Sequence, residues 1–158
     1  MYNKILVPLD GSELAECVLP HLKSIAGGCS VQNVVFLRVV EPFNPPAGYD
    51  DGGAVNFTDA DRKRIESERK SEAESYLKRI TTREKYSGVN VQPVVMKGKP
   101  ADTIADYAKK SEADLIIAAT HGRGGISRWV WGSVADRILR SSCVPVFMVR
   151  APGCIPGI

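Results

Sequence analysis

Five short apolar runs, at residues 2–9, 31–40, 89–96, 114–119 and 144–149, alternate along this chain with longer segments of helical periodicity. That alternation constrains the fold more than any other feature. Ile5-Leu6-Val7 and Val34-Val35-Phe36-Leu37 are consecutive apolar residues with no polar face. A strand of that composition must be covered on both sides, as in a parallel sheet flanked by helices. The order β-α-β-α-β-α-β-α-β therefore predicts an α/β fold joined by right-handed crossovers. At 158 residues the chain has room for one such domain with a sizeable core.

The punctuation between the runs sets the helices. Asp10-Gly11-Ser12 breaks the first strand, and Ser12 is expected to cap a helix to about residue 26, with Glu13 and Glu16 in its first turn. Pro20 should kink that helix or mark a turn boundary, and Gly27-Gly28 ends it. Residues 41–57 hold Pro42, Pro45, Pro46, Gly48, Gly52 and Gly53, which predicts a long loop. A charged helix with a narrow apolar stripe (Ile65, Ala73, Tyr76, Leu77 and Ile80) is expected over 58–86. Pro100 suits the first position of a helix over 101–110. A fourth helix over 132–141 is expected to turn Val134, Ile138 and Leu139 inward, and residues 151–158 form a Pro/Gly tail beyond a domain of 1–150.

Composition excludes several classes. The net charge is only +3, and basic residues interleave with acids, as in Asp61-Arg62-Lys63-Arg64-Ile65-Glu66. That is a solvated helix face, so no nucleic-acid partner is expected. No segment reaches the roughly 18 apolar residues of a membrane span. The first ten residues lack the apolar stretch of a signal peptide, so the expected location is the cytoplasm. The four cysteines, Cys17, Cys29, Cys143 and Cys154, form no CxxC and are expected as free thiols. With only His21 and His121 as histidines, no Cys/His spacing suggests a zinc site.

Chemistry concentrates in DLIIAATHGRGGISRWVWGS, residues 114–133. An apolar strand runs into a loop with Gly122, Gly124 and Gly125, and Gly132-Ser133 opens a helix. Glycines let backbone amides approach an anion, and the first N–H groups of a helix lack intrahelical partners. Phosphate binding is one reading; glycines serving only turns is the other. The loop is neither a P-loop nor a dinucleotide fingerprint, since it lacks G-x-x-x-x-G-K-[ST] and no G-x-G-x-x-G follows strand one. If strands one and four are neighbours, strand order reverses between them, and Asp10-Gly11-Ser12 faces this loop across one crevice.

ILVPLDGSELAE near the start, THGRGGISRWVWGSVADRIL and the following VPVFMV resemble the universal stress protein family over essentially the whole chain. The resemblance implies a doubly wound, Rossmann-like domain with strand order 3-2-1-4-5. It also implies a homodimer formed around the edge strand from Val144 to Val149. Nucleotide-binding members of that family carry G-x2-G-x9-G-[ST]. Gly122, nine intervening residues and Gly132-Ser133 match it, while Ala119 stands at the first glycine. If position 119 required positive φ, alanine would cost about 1 kcal/mol or more. Since Ala119 ends an apolar run, ordinary extended backbone is expected.

The same resemblance assigns Pro8, Leu9 and Asp10 to the adenine and ribose side, Val39 to packing on adenine, and Ala119, Gly122, Arg123, Gly125, Gly132, Ser133 and Val134 to the phosphate side. The bland alternatives are a turn aspartate at Asp10, a core valine at Val39 and an exposed Arg123. The implied ligand is ATP or a related adenine nucleotide, with Mg²⁺ as its optional companion. No nucleophile or second partner accompanies His121, so no catalytic base is assigned. Trp129 and Trp131 are expected to bury against the fold or a partner subunit. A binding module is thus expected, in contact with an unidentified protein partner. The alternatives are a slow ATPase using His121 or Asp10, and a member that acts through dimerisation and protein contacts without nucleotide.

Overall fold

The computed structural model describes residues 2–44, 58–120 and 133–150. Five parallel strands, β1 (Lys4–Pro8), β2 (Asn33–Val40), β3 (Asn90–Lys97), β4 (Leu115–Ala119) and β5 (Val146–Val149), form one sheet in the order β3-β2-β1-β4-β5. The helices are α1 (Leu19–Gly28), α2 (Asp59–Arg83), α3 (Pro100–Lys110) and α4 (Ser133–Ser141). The expected doubly wound fold and strand order are both present. Element ends fall within three residues of the expected positions, the start of the first helix excepted.

Strand alternation sorts the core into two halves. Ile5, Val7, Val34, Phe36, Leu115 and Ile117 point to one face, where Leu19, Leu22 and Ala26 of α1 and Tyr76, Leu77 and Ile80 of α2 cover them. Leu6, Val35, Leu37, Ile116 and Ala118 point to the other, covered by Ala101, Ile104 and Ala108 of α3 and Ile138 of α4. Ile5, Leu6 and Val7 have no exposed surface, which is why β1 must be apolar throughout. Each such side chain contributes about 1.5–3 kcal/mol when fully buried. The chain winds outward from β1 to β3, then crosses to β4 and β5, so the strand order reverses between β1 and β4. The edge position of β3 also explains how Pro93 is tolerated in the middle of a strand.

Three expectations need correction. The first helix does not start at Ser12. Ser12 Oγ does accept the Ala15 N–H at 3.2 Å, but residues Ala15–Val18 form a 3₁₀ turn and α1 begins at Leu19. A continuous α-helix would need an N–H from Pro20 to the Glu16 carbonyl. Proline has none, and the Leu19 N–H bonds that carbonyl instead. On α4, Ile138 faces inward as expected, but its companion is Ala135. Val134 and Leu139 are 38% and 45% exposed. Ala135 and Ile138 are three residues apart and share a face; Val134 and Leu139 lie about 70° to either side of its centre. Finally, β5 begins at Val146; Pro145 accepts the Ile116 N–H at 2.9 Å but has no N–H to return to β4.

α2 starts where expected. Thr58 Oγ1 accepts the Asp61 N–H and Asp61 Oδ2 accepts the Thr58 N–H, both at 3.1 Å, closing a capping box. Its buried stripe is Ala73, Tyr76, Leu77 and Ile80, with Ile65 half-buried. Among the described residues no helix is long and apolar enough to cross a membrane.

Candidate functional site

The order reversal between β1 and β4 is where an open parallel sheet offers a crevice, and one residue shapes it. Successive amides of a strand point to opposite neighbours. The Leu9 N–H goes to Leu37 O on the β2 side at 2.9 Å, so the amide of position 8 would face β4. That position is Pro8, which has no N–H to give. The pairing of β1 with β4 accordingly spans Ile5↔Leu115 and Leu6↔Ile116. On the outer sides it runs further, to Pro8↔Leu37 and Ala119↔Val149. The sheet thus loses its central ladder towards the carboxyl ends of the two strands.

Beyond Pro8 the chain turns sharply. Asp10 Oδ1 accepts the Ser12 N–H at 2.9 Å and the Ser12 hydroxyl at 2.6 Å, and Ser12 Oγ in turn accepts from Ala15. Asp10 is therefore both a turn former and a half-buried carboxylate at the mouth of the crevice. Gly11 has φ +88°, a conformation that side-chain-bearing residues seldom adopt. Leu9, assigned to the ligand side by resemblance, is 2% exposed and packs in the α1/α2 core. Its side chain is therefore packed away from a ligand, and its N–H is already given to Leu37 O. Val39 is half-buried on the α3/α4 side, level with Met96 of β3.

Ala119 is the last residue of β4, opposite Val149. The non-glycine residues with positive φ are Ser30 and Glu112 among those described, so Ala119 has the extended backbone expected of it. Its methyl packs against the α1/α2-side cluster, whereas Val39 lies on the opposite face of the sheet. The next residue, Thr120, is buried and donates its N–H to Val149 O at 2.9 Å. Ser133 and Val134 are exposed at the start of α4. Ser133 is the first helical residue. Gly122, Arg123, Gly125 and Gly132 lie outside the described residues, as do His121, Trp129 and Trp131.

Sequence reasoning missed one constituent. Arg38 interrupts the apolar side of β2, yet it is only 6% exposed. Its Cζ lies 5.1 Å from the centre of the Tyr76 ring, and Nη2 is 3.8 Å from Glu72 Oε1. The Tyr76 hydroxyl donates to Glu16 Oε1 at 3.2 Å, and Glu16 Oε2 accepts from Arg83 at 2.7 Å. Burial pushes the Tyr76 phenol well above its ordinary pKa, and the charges of Glu16 and Asp10 push it further the same way. It is therefore a permanent hydrogen-bond donor at physiological pH. The signal for Arg38 was a charged residue inside an otherwise apolar strand. Among the described residues no group of three or more His, Cys, Asp or Glu side chains converges as a metal site.

The universal stress protein family profile matches residues 1–150. The chain belongs to the universal stress protein family. It is 30% identical over 152 residues to universal stress protein MJ0531 of Methanocaldococcus jannaschii, covering 96% of this chain and 84% of that relative. Among solved structures, protein MJ0577 superposes with a TM-score of 0.78 at 24% identity, over 98% of this chain and 99% of the other. Two more distant structures carry adenine nucleotides. A universal stress protein family protein of Arabidopsis thaliana with AMP bound has a TM-score of 0.62 at 13% identity, over 96% and 93% of the two chains. A universal stress protein in complex with cAMP has a TM-score of 0.58 at 19% identity, over 95% and 98%.

Proposed function

We propose that this universal stress protein binds an adenine nucleotide, ATP or a close relative, and works as a regulatory binding module in the cytoplasm. The observation that carries the reading is the break in the central ladder at Pro8, with the Asp10 turn at its mouth. A carboxylate there accepts from ribose hydroxyls or the adenine amino group. Val39 offers apolar surface to the base, and the extended Ala119, turned to the other face, leaves the approach to the loop unobstructed. The loop with Gly122, Arg123 and Gly125, followed by Gly132-Ser133 and the N-terminus of α4, would hold the phosphates. Mg²⁺ would enter with those phosphates, held by their oxygens rather than by a protein carboxylate cluster. That relatives of the same fold hold AMP and cAMP supports an adenine ligand.

The decisive measurement is whether the purified protein carries or takes up nucleotide. Heat-released supernatant is assayed for adenine absorbance, and thermal stability is followed with ATP at millimolar concentration. Absence of both signals defeats the reading. Gly122→Val or Gly132→Val should abolish the ATP shift while leaving the fold intact.

The same module is proposed to act as a homodimer through β5. That strand ends the sheet, and Phe147 on it is 41% exposed, with His21 of α1 its aromatic neighbour at 6.1 Å. An edge strand with an exposed aromatic invites pairing with a second copy. Occupancy of the nucleotide site would then change the surface that an unidentified protein partner meets.

A further inference from the structure

We propose that Arg38 is a positioning residue for the nucleotide site: it carries the backbone of the Asp10-Gly11-Ser12 turn and thereby sets where the Asp10 carboxylate stands. The consequence for ligand binding rests on the nucleotide reading above; the contact itself does not.

A guanidinium taken out of water needs compensating partners. Glu72 is one, but its side chain is 67% exposed and the pair is 3.8 Å apart, so water screens the attraction. The Tyr76 ring lies on one side of the fork. Gly11 lies against the guanidinium as well. A Cβ built on Gly11 would stand 2.9 Å from Arg38 Cζ, 2.9 Å from Nη1 and 3.0 Å from Nη2. Near-equal distances to three atoms of one plane mean that the flat face of the guanidinium lies beneath the turn. Glycine at position 11 suits the φ of +88°, and a side chain there would make the guanidinium shift.

The support is itself anchored. Arg79 Cζ lies 5.4 Å from the Tyr76 ring. Glu16 holds the Tyr76 hydroxyl and Arg83 together. Arg38 thus ties the turn after β1 to α2 and to the 3₁₀ turn before α1. A lysine would keep the charge and the stem but not the plane.

The test uses the full chain. In urea unfolding, Gly11→Ala should lower the midpoint strongly in the Arg38 protein and less in an Arg38→Ala background; equal losses overturn the contact. In amide hydrogen exchange, Arg38→Lys and Arg38→Met should each speed the Ser12 amide about tenfold relative to Leu6 and Val7 of β1. A Ser12 amide that changes only in step with β1 marks a merely structural arginine and overturns the proposal. By calorimetric titration with ATP, Arg38→Met should weaken binding about tenfold. Unchanged affinity in a variant with a loosened Ser12 overturns it as well. If the unmodified protein takes up no ATP, the nucleotide reading fails. The midpoint and exchange measurements then still decide whether Arg38 carries the turn.

Discussion

Asp114 and Lys4 hold each other by two reciprocal hydrogen bonds across the reversal point of the sheet. The Asp114 N–H donates to Lys4 O at 2.8 Å, and the Lys4 N–H donates to Asp114 Oδ2 at 2.7 Å. The same carboxylate oxygen also accepts the Asn3 N–H at 2.9 Å. The clamp sets the register of β4 against β1 at the end opposite the crevice. The N–H groups of Lys4 and Asn3, in that order, hold the Asp114 carboxyl below the usual aspartate range.

The sign of its pH dependence follows. A carboxylate whose folded pKa is depressed stabilises the fold above the unfolded value, about 3.9. That stability is lost as pH falls through the lower, folded value. Asp114→Ala should therefore lower the urea midpoint at pH 7. The gap between variant and unmodified protein should narrow in a series carried below about pH 4.

Thr58→Ala removes the side-chain half of the box that begins α2. The expected cost is about 1 kcal/mol, read from urea denaturation followed by circular dichroism. Asp61→Ala should also destabilise, since Asp61 supplies the reciprocal bond.

Ala119→Gly restores the glycine of the family motif. Because Ala119 is extended and its methyl packs towards α1, ATP affinity by calorimetry should stay within about threefold. The fold should lose about 1 kcal/mol, the cost of glycine inside a strand. A large gain in affinity would show that the methyl obstructs the ligand after all.

Phe147→Asp places a charge on the exposed part of β5. With Phe147 41% exposed, monomer stability should change little. Analytical ultracentrifugation should show the proposed dimer shifted to monomer; an unchanged mass would locate any assembly elsewhere.

Much of the fold was legible in advance because its signals are local. Consecutive apolar residues in β1 and β2 announced two-sided burial, and Pro100 and Thr58 marked helix starts. The errors arose where a neighbour decided. Val134 and Leu139 are as apolar as Ile138, but they flank the Ala135/Ile138 stripe that meets the sheet and stay exposed. The candidate site was legible in part: Asp10, Val39 and Ala119 stand at strand ends as expected, while the glycine loop lies outside the described residues.

By itself the sequence determined the class of fold, the count and alternation of its elements, and the family, since these follow from periodicity and from a long specific motif. Tertiary structure alone decided three things. Pro8 was visible as a proline, but that it breaks the ladder facing β4 depends on which neighbour each amide faces. Ala119 was visible as a missing glycine, but the side to which its methyl points depends on strand phase within the sheet. Arg38 was visible only as an odd charge. Its nearness to both Tyr76 and Gly11 joins residues far apart in the chain, and such contacts exist only once β1, β2 and α2 are packed together.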